Sequence, residues 1–244
     1  MEQDKTSYGS IVIVGGAGGI GQCISQKYLD GGEQVVVVDR VQPAFQHRSL
    51  KYVSVDVTDT RDIQRAATEI KGQGITVRHL VSLAGGALPA EFESDIRLVD
   101  DNDLERSIRL NLTSHLWLTK YFMGDDPTDG SDRSVVFVSS INALRGYGLT
   151  AYTAAKAGLL GATRELACSL ASRGIRVNAV LPGTIPTPRT SKQPKDMSAL
   201  LRGTALGRFA TPEDIASCCY FLTHLTKSVT GQNIVVDAGQ SVHS

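Results

Sequence analysis

Five glycines crowd into seven residues, Gly15-Gly16-Ala17-Gly18-Gly19-Ile20-Gly21, directly after the apolar, β-branched run Ser10 to Val14. No other feature constrains the fold as tightly. The run reads as a buried strand, and Gly19 to Leu29, closed by Asp30-Gly31-Gly32, reads as a helix. The turn between them is one where backbone must come very close to something. Two spacings fit. Gly16, Gly18 and Gly21 make GxGxxG; Gly15, Gly19 and Gly21 make GxxxGxG. Both aim a helix N-terminus at a bound diphosphate. A tight turn with no ligand is the competing reading, and the strand-to-helix setting weighs against it.

The same alternation continues along the chain. Gln34 to Asp39, Tyr52 to Val55, His79 to Leu83, Ser134 to Ser139, Arg176 to Leu181 and Asn233 to Val236 are further strand candidates. Helical spacing runs from Thr58 or Asp59 to Lys71, from Asp101 to Met123, from Thr150 to Ser172 and from Thr211 to Leu222. The strands are continuous apolar runs, as expected where helices cover both faces of a parallel sheet. This predicts a doubly wound α/β fold with seven strands, a single domain over residues 1–244. Only eleven residues, Pro43 among them, separate Asp39 from Lys51, so the second crossover helix should be short or distorted.

Composition excludes several functions. Lys plus Arg and Asp plus Glu each number 25, a net charge of zero, so neither nucleic acid nor a polybasic membrane contact is the expected partner. No apolar run approaches the roughly 18 residues of a membrane span, and the polar start MEQDKTSYGS is unlike a leader. The expected location is cytoplasmic. Cys23, Cys168, Cys218 and Cys219 show no CxxC or zinc spacing, so free thiols and no metal are expected.

Other residues gather at the carboxyl ends of these strands. Asp39 ends the second and can accept hydrogen bonds from a ribose while repelling a 2′-phosphate, which favours NAD; the neighbouring Arg40 keeps NADP open. Asp56 ends the third, as an Asx-turn or an adenine contact. Tyr152 and Lys156 lie four apart at a helix start and so share a face. An ammonium there would lower the tyrosine pKa from its usual value near 10. Ser139 and Ser140 close the fifth strand, where a hydroxyl can hold a substrate oxygen.

These residues together resemble the short-chain dehydrogenase/reductase family over nearly the whole chain. The resemblance rests on Gly15, Gly19 and Gly21, the turn Asp56-Val57-Thr58, and Asn111 in RLNLTSHLWLTK. It rests also on Ser140, the YxxxK pair Tyr152 and Lys156, RVNAVLPGTIPT at 176–187, and the TPEDIA…TGQNIVVDAG tail. It implies a Rossmann fold and an NAD(P)-dependent oxidoreductase that interconverts a secondary alcohol and a ketone. The substrate would be a small molecule, of 3-oxoacyl, sugar or polyol, steroid or secondary-metabolite type. The implied catalytic tetrad is Asn111, Ser140, Tyr152 and Lys156, with Tyr152 as acid/base, Ser140 positioning the carbonyl and Asn111 holding a water near Lys156. The implied cofactor contacts are Gly15, Gly18, Gly19, Ile20, Gly21, Asp39, Arg40, Asp56, Val57, Ala84, Gly85, Tyr152, Lys156, Pro182, Gly183, Ile185 and Thr187. A homotetramer or homodimer through 101–123, 150–172 and 233–244 is implied as well.

Three positions depart from the family pattern. Val14 stands where the loop usually begins with Thr, Ser82-Leu83-Ala84-Gly85 replaces NNAG, and Asp237-Ala238-Gly239 replaces DGG. His115 and Trp117 read as packing or subunit-contact residues. Tyr147 and Leu88 are candidates to line the pocket. Segment 186–208 reads as a substrate lid, with Arg189, Lys192 and Lys195 as an electrostatic guide for an anionic substrate. A cofactor-binding regulatory protein, or a lyase or isomerase, on the same fold is the alternative.

Overall fold

The computed structural model describes residues 10–89, 95–124, 130–188, 190 and 196–242. Seven strands form one sheet: β1 (Ser10–Val14), β2 (Gln34–Asp39), β3 (Leu50–Ser54), β4 (Val77–Ser82), β5 (Arg133–Val138), β6 (Ile175–Pro182) and β7 (Asn233–Val236). Their order is β3-β2-β1-β4-β5-β6-β7, and every neighbouring pair is parallel. The winding reverses between β1 and β4, and a crevice opens there at the carboxyl ends of the strands.

Every residue of β1 is buried, yet the run still has two faces. Val12 and Val14 join a core with Ile63, Ala66 and Ile70 of α2 (Thr60–Gly72) and Leu159 of α5 (Thr150–Ser169). Ile11 and Ile13 join the opposite core with Ile24 and Tyr28 of α1 (Gly19–Asp30) and Ile215 of α7 (Pro212–Tyr220). Each such buried aliphatic contributes roughly 1.5–3 kcal/mol, so replacing one by a polar residue would be costly on either face. Helix starts follow their sequence signals. Asp59 caps α2 by accepting from the Arg61 N–H, and Thr211 with Asp214 forms a reciprocal capping box ahead of α7.

Two expectations need correction. No helix crosses from β2 to β3, because residues 40–49 form only bends and turns. Pro43 lacks the N–H a helix needs there, and Phe45 packs on the core beside Leu50 and Tyr52 instead. The helix expected over 101–123 is continuous but changes its winding partway. It runs as α3 (Asp101–Ile108) and α4 (Ser114–Phe122), joined by a π-helical turn over Arg109–Thr113. The cause lies in Asn111, whose side-chain amide donates to the Ser107 carbonyl at 3.1 Å. That carbonyl is the one an α-helix would pair with the Asn111 N–H.

Within the expected lid, α6 (Met197–Arg202) is a short helix capped by Asp196, while Arg189, Lys192 and Lys195 lie outside the described residues. Among the described residues, no helix is long and apolar enough to cross a membrane.

Two histidines are folded into the protein as neutral rings. His79 on β4 bonds Ser134 Oγ through Nδ1 at 2.8 Å. Burial above all, then the charges of His224, Arg176 and Lys227, push its pKa down to about 3 against the opposing pull of Asp132. His115 on α4 is fully buried, and burial with the charge of Lys156 holds it well below the ordinary range. Unfolding returns both to about 6.5, so the unfolded chain takes up protons that the folded one refuses. Stability from these groups is therefore complete above pH 6.5 and falls as pH drops below it. For His79 that loss is about 2 kcal/mol at pH 5, and His115 adds to it in the same direction. Urea midpoints at pH 7.5 and 5.0 measure this, and equal midpoints would contradict it.

Candidate active site

The glycine turn takes its shape from contacts with its own backbone. Gly15 (φ 84) donates to the Val38 carbonyl at 2.8 Å, and a Cβ on Gly15 would sit 2.9 Å from the Ala84 nitrogen. Gly18 is the N-cap of α1 and offers no capping side chain, and the first turn holds no acidic residue. The helix therefore presents unpaired N–H groups and its positive end to the crevice, as an anion site requires. Gly19 faces Thr187, with Cγ2 3.4 Å from where its Cβ would be.

At the end of β2 the Asp39 carboxylate accepts from the Ala17 N–H at 3.1 Å and from the Val41 N–H at 3.2 Å. It thus ties the turn from outside, next to Val14, which has no hydroxyl to do so from within. Arg40 is exposed. Asp56 forms an Asx-turn, its Oδ1 accepting from the Thr58 N–H (2.9 Å) and hydroxyl (2.7 Å), and Val57 is buried in the core beneath it.

After β4 the chain passes through Ala84, Gly85 (φ 140) and Gly86 (φ 131). Asn111 grips this stretch: its Oδ1 accepts from the Gly86 N–H at 2.7 Å, and its amide donates to the Gly86 carbonyl at 3.2 Å. A Cβ on Gly85 would lie 3.7 Å from Lys156 Nζ, so the buried Asn111 and Lys156 converge on that residue.

Tyr152 and Lys156 share a face of α5, with Nζ 5.8 Å from the phenol ring centroid. Lys156 is 2 % exposed and donates to the Val138 carbonyl at 3.0 Å, while Ser139 Oγ donates to the Lys156 carbonyl at 2.8 Å. These bonds pin the lysine between β5 and α5. Ser140 Oγ donates to Asn142 Oδ1 (3.1 Å) and accepts from the Asn142 N–H (3.2 Å).

A cavity of about 550 Å³ opens over this group. Ser140, Tyr152, Lys156, Ile20, Gly85, Pro182, Gly183, Ile185 and Thr187 line it, and so does Tyr147; Leu88 does not. Gly15, Gly18, Gly19, Gly21, Asp39, Arg40, Asp56, Val57 and Ala84 lie outside that lining, and Asn111 stands behind the wall at Gly85. Sequence reasoning missed Gln240 and did not single out Asn142, Asp196, Met197 or Leu200, all in the wall, although the last three lie in the segment 186–208 that it read as a lid. Gln240 accepts from the Thr184 N–H at 2.8 Å and donates to its hydroxyl at 3.1 Å. Its only sequence signal was its place after Asp237-Ala238-Gly239. Trp117 packs on the core under the Arg109 guanidinium, 5.8 Å from the ring.

Comparison with known proteins gives a consistent picture. The family profile described as enoyl-(acyl carrier protein) reductase matches residues 15–241. The 7alpha-hydroxysteroid dehydrogenase of Bacteroides fragilis is 30% identical, covering 96% of this chain and 95% of its own. The 3-oxoacyl-[acyl-carrier-protein] reductase of Chlamydia pneumoniae is 31% identical, with coverage of 94% and 95%. Among solved structures, a short chain dehydrogenase from Leptospira borgpetersenii with bound NAD+ superposes with a TM-score of 0.84 at 24% identity, covering 99% of this chain and 97% of its own.

Proposed function

The chain belongs to the short-chain dehydrogenase/reductase family and is an oxidoreductase acting on CH–OH or carbonyl groups, and from that premise we propose that it interconverts a secondary alcohol and its ketone with Tyr152 as acid/base. The observation that carries this reading is the convergence of Tyr152, Lys156 and Ser140 on one cavity at the carboxyl edge of the sheet. The names of the relatives, a hydroxysteroid dehydrogenase and a 3-oxoacyl reductase, are of the same hydroxy/oxo type.

The chain suits a nicotinamide cofactor: an uncapped helix N-terminus faces the crevice, and the glycine turn is closed to side chains at Gly15, Gly16 and Gly21. Gly15, Gly18, Gly19 and Gly21 would hold its diphosphate, Asp39 an adenosine ribose, and Gly85, Lys156 and the stretch Pro182 to Thr187 its nicotinamide half. Such a group, when bound, donates or accepts the hydride. Lys156, buried beside Tyr152, favours the phenolate by charge. Tyr152 takes the hydroxyl proton in oxidation and returns it in reduction. Ser140 turns from Asn142 to hold the substrate oxygen. Asp196, Met197, Ala199 and Leu200 at the start of α6 line the cavity, and α6 would act as its lid.

The test is a panel of secondary alcohols and ketones, run with NAD(H) and NADP(H) and followed by nicotinamide absorbance. Chemical turnover with no absorbance change would favour a lyase or isomerase instead. Asp39 makes NAD the preferred cofactor in this proposal. Asp39→Ser should shift the NADP-to-NAD ratio of kcat/KM upward by about tenfold or more, since it removes a charge facing the 2′-phosphate. It should also lower NAD affinity, because the Ala17 N–H loses its partner. An unchanged ratio would remove Asp39 from cofactor selection.

A further inference from the structure

We propose that His115 is a positioning residue for the cofactor loop, bracing Ser82 to Gly86 from the helix that also carries Asn111. This rests on the nicotinamide reading above. His115 comes four residues after Asn111, about one helical turn further along the same rod. Its Nδ1 shares a 2.7 Å hydrogen bond with Ser82 Oγ at the end of β4. Its Nε2 is buried without a hydrogen-bond partner, and the ring lies against the Ala84 backbone. Asn111 holds the other end of the loop at Gly86, through both the N–H and the carbonyl. Two side chains of one helix thus grip both ends of a five-residue stretch.

The middle of that stretch is soft. Gly85 and Gly86 sit at φ 140 and 131, and successive glycines have no stiffness of their own. The shape of the loop therefore depends on what holds it. The imidazole is itself fixed, fully buried and edge-on to Phe137 with centroids 6.0 Å apart. A shift at Ser82 would pass to Gly85, whose Cβ position lies 2.5 Å from Asn111 Oδ1 and 3.7 Å from Lys156 Nζ. Burial and the nearby Lys156 charge keep the ring neutral, so it acts through hydrogen-bond geometry and not as a charge.

Because the loop meets the nicotinamide half of the cofactor, the two halves separate the explanations. Calorimetric titration with NADH and with AMP reads each. His115→Leu should weaken NADH about tenfold and leave AMP within about twofold, since AMP reaches only the adenosine side. Ser82→Ala should show the same pattern, and the double variant should be no weaker than the worse single one. His115→Asn, whose amide reaches where Nδ1 does, should recover most of the affinity. Equal losses for NADH and AMP, or no loss, would overturn the assignment. If His115→Leu does not fold, Ser82→Ala decides alone. A wild-type protein that binds neither NADH nor NADPH overturns the nicotinamide reading and this inference together. Wild-type NADH binding with unaltered variants overturns only this inference.

Discussion

Replacing Tyr152 by phenylalanine should lower kcat by roughly a hundred- to ten-thousand-fold, the range general acid–base catalysis supplies, while cofactor affinity stays near the wild-type value. The substitution removes one oxygen and leaves the ring, so the cavity wall and the 5.8 Å approach of Lys156 Nζ to the ring centroid are kept. Lys156 itself keeps its bond to the Val138 carbonyl and its place beside Gly85. Binding should therefore survive and proton transfer should not. Stopped-flow turnover on any alcohol found active, beside an NADH titration of the same variant, separates the two. A variant that turns over normally sinks the acid/base role. One that loses both binding and turnover shows the hydroxyl to be a binding group instead.

Much of this site could be read from the chain, because its residues sit at strand ends and at fixed helical spacings. Val12, Val36 and Leu80 belong to short runs rich in Val, Ile and Leu, so their strands announced themselves. The residues that escaped are set by contacts distant in sequence. Gln240 meets Thr184 across 56 positions, and His115 meets Ser82 across 33. No local pattern encodes either pairing. The π turn at Arg109–Thr113 was hidden for a related reason. The local spacing is helical, and only the Asn111 amide, held between Ser107 and Gly86, widens the turn. Asp39 was legible as a ribose partner, but its bond to the Ala17 N–H was not, since it needs the strand end and the glycine turn placed together.

Gly21→Ala should abolish measurable cofactor binding, weakening NADH by more than about a hundredfold, and should destabilise the fold by about 3 kcal/mol. The added methyl would overlap the Gly15 carbonyl oxygen and lie 2.7 Å from Gly16 Cα. Both obstacles are backbone, and neither can retreat. Gly15 is held by the Val38 carbonyl, and its own carbonyl accepts from the Gly18 N–H at 3.3 Å. Relief requires α1 to slide or the turn to open, and either one moves the N–H groups that face the crevice. Gly18→Ala is the control, since its Cβ would sit 3.6 Å from the nearest atom, an ordinary contact. That variant should fold within about 1 kcal/mol of the wild type. Gly21 belongs to both glycine spacings. Among the members they do not share, a Cβ would come within 3.0 Å of a neighbour at Gly15 and Gly16, but not at Gly18 or Gly19. Urea denaturation and NADH titration of the two variants check both expectations. Wild-type NADH affinity in Gly21→Ala would mean that the turn does not shape the diphosphate site.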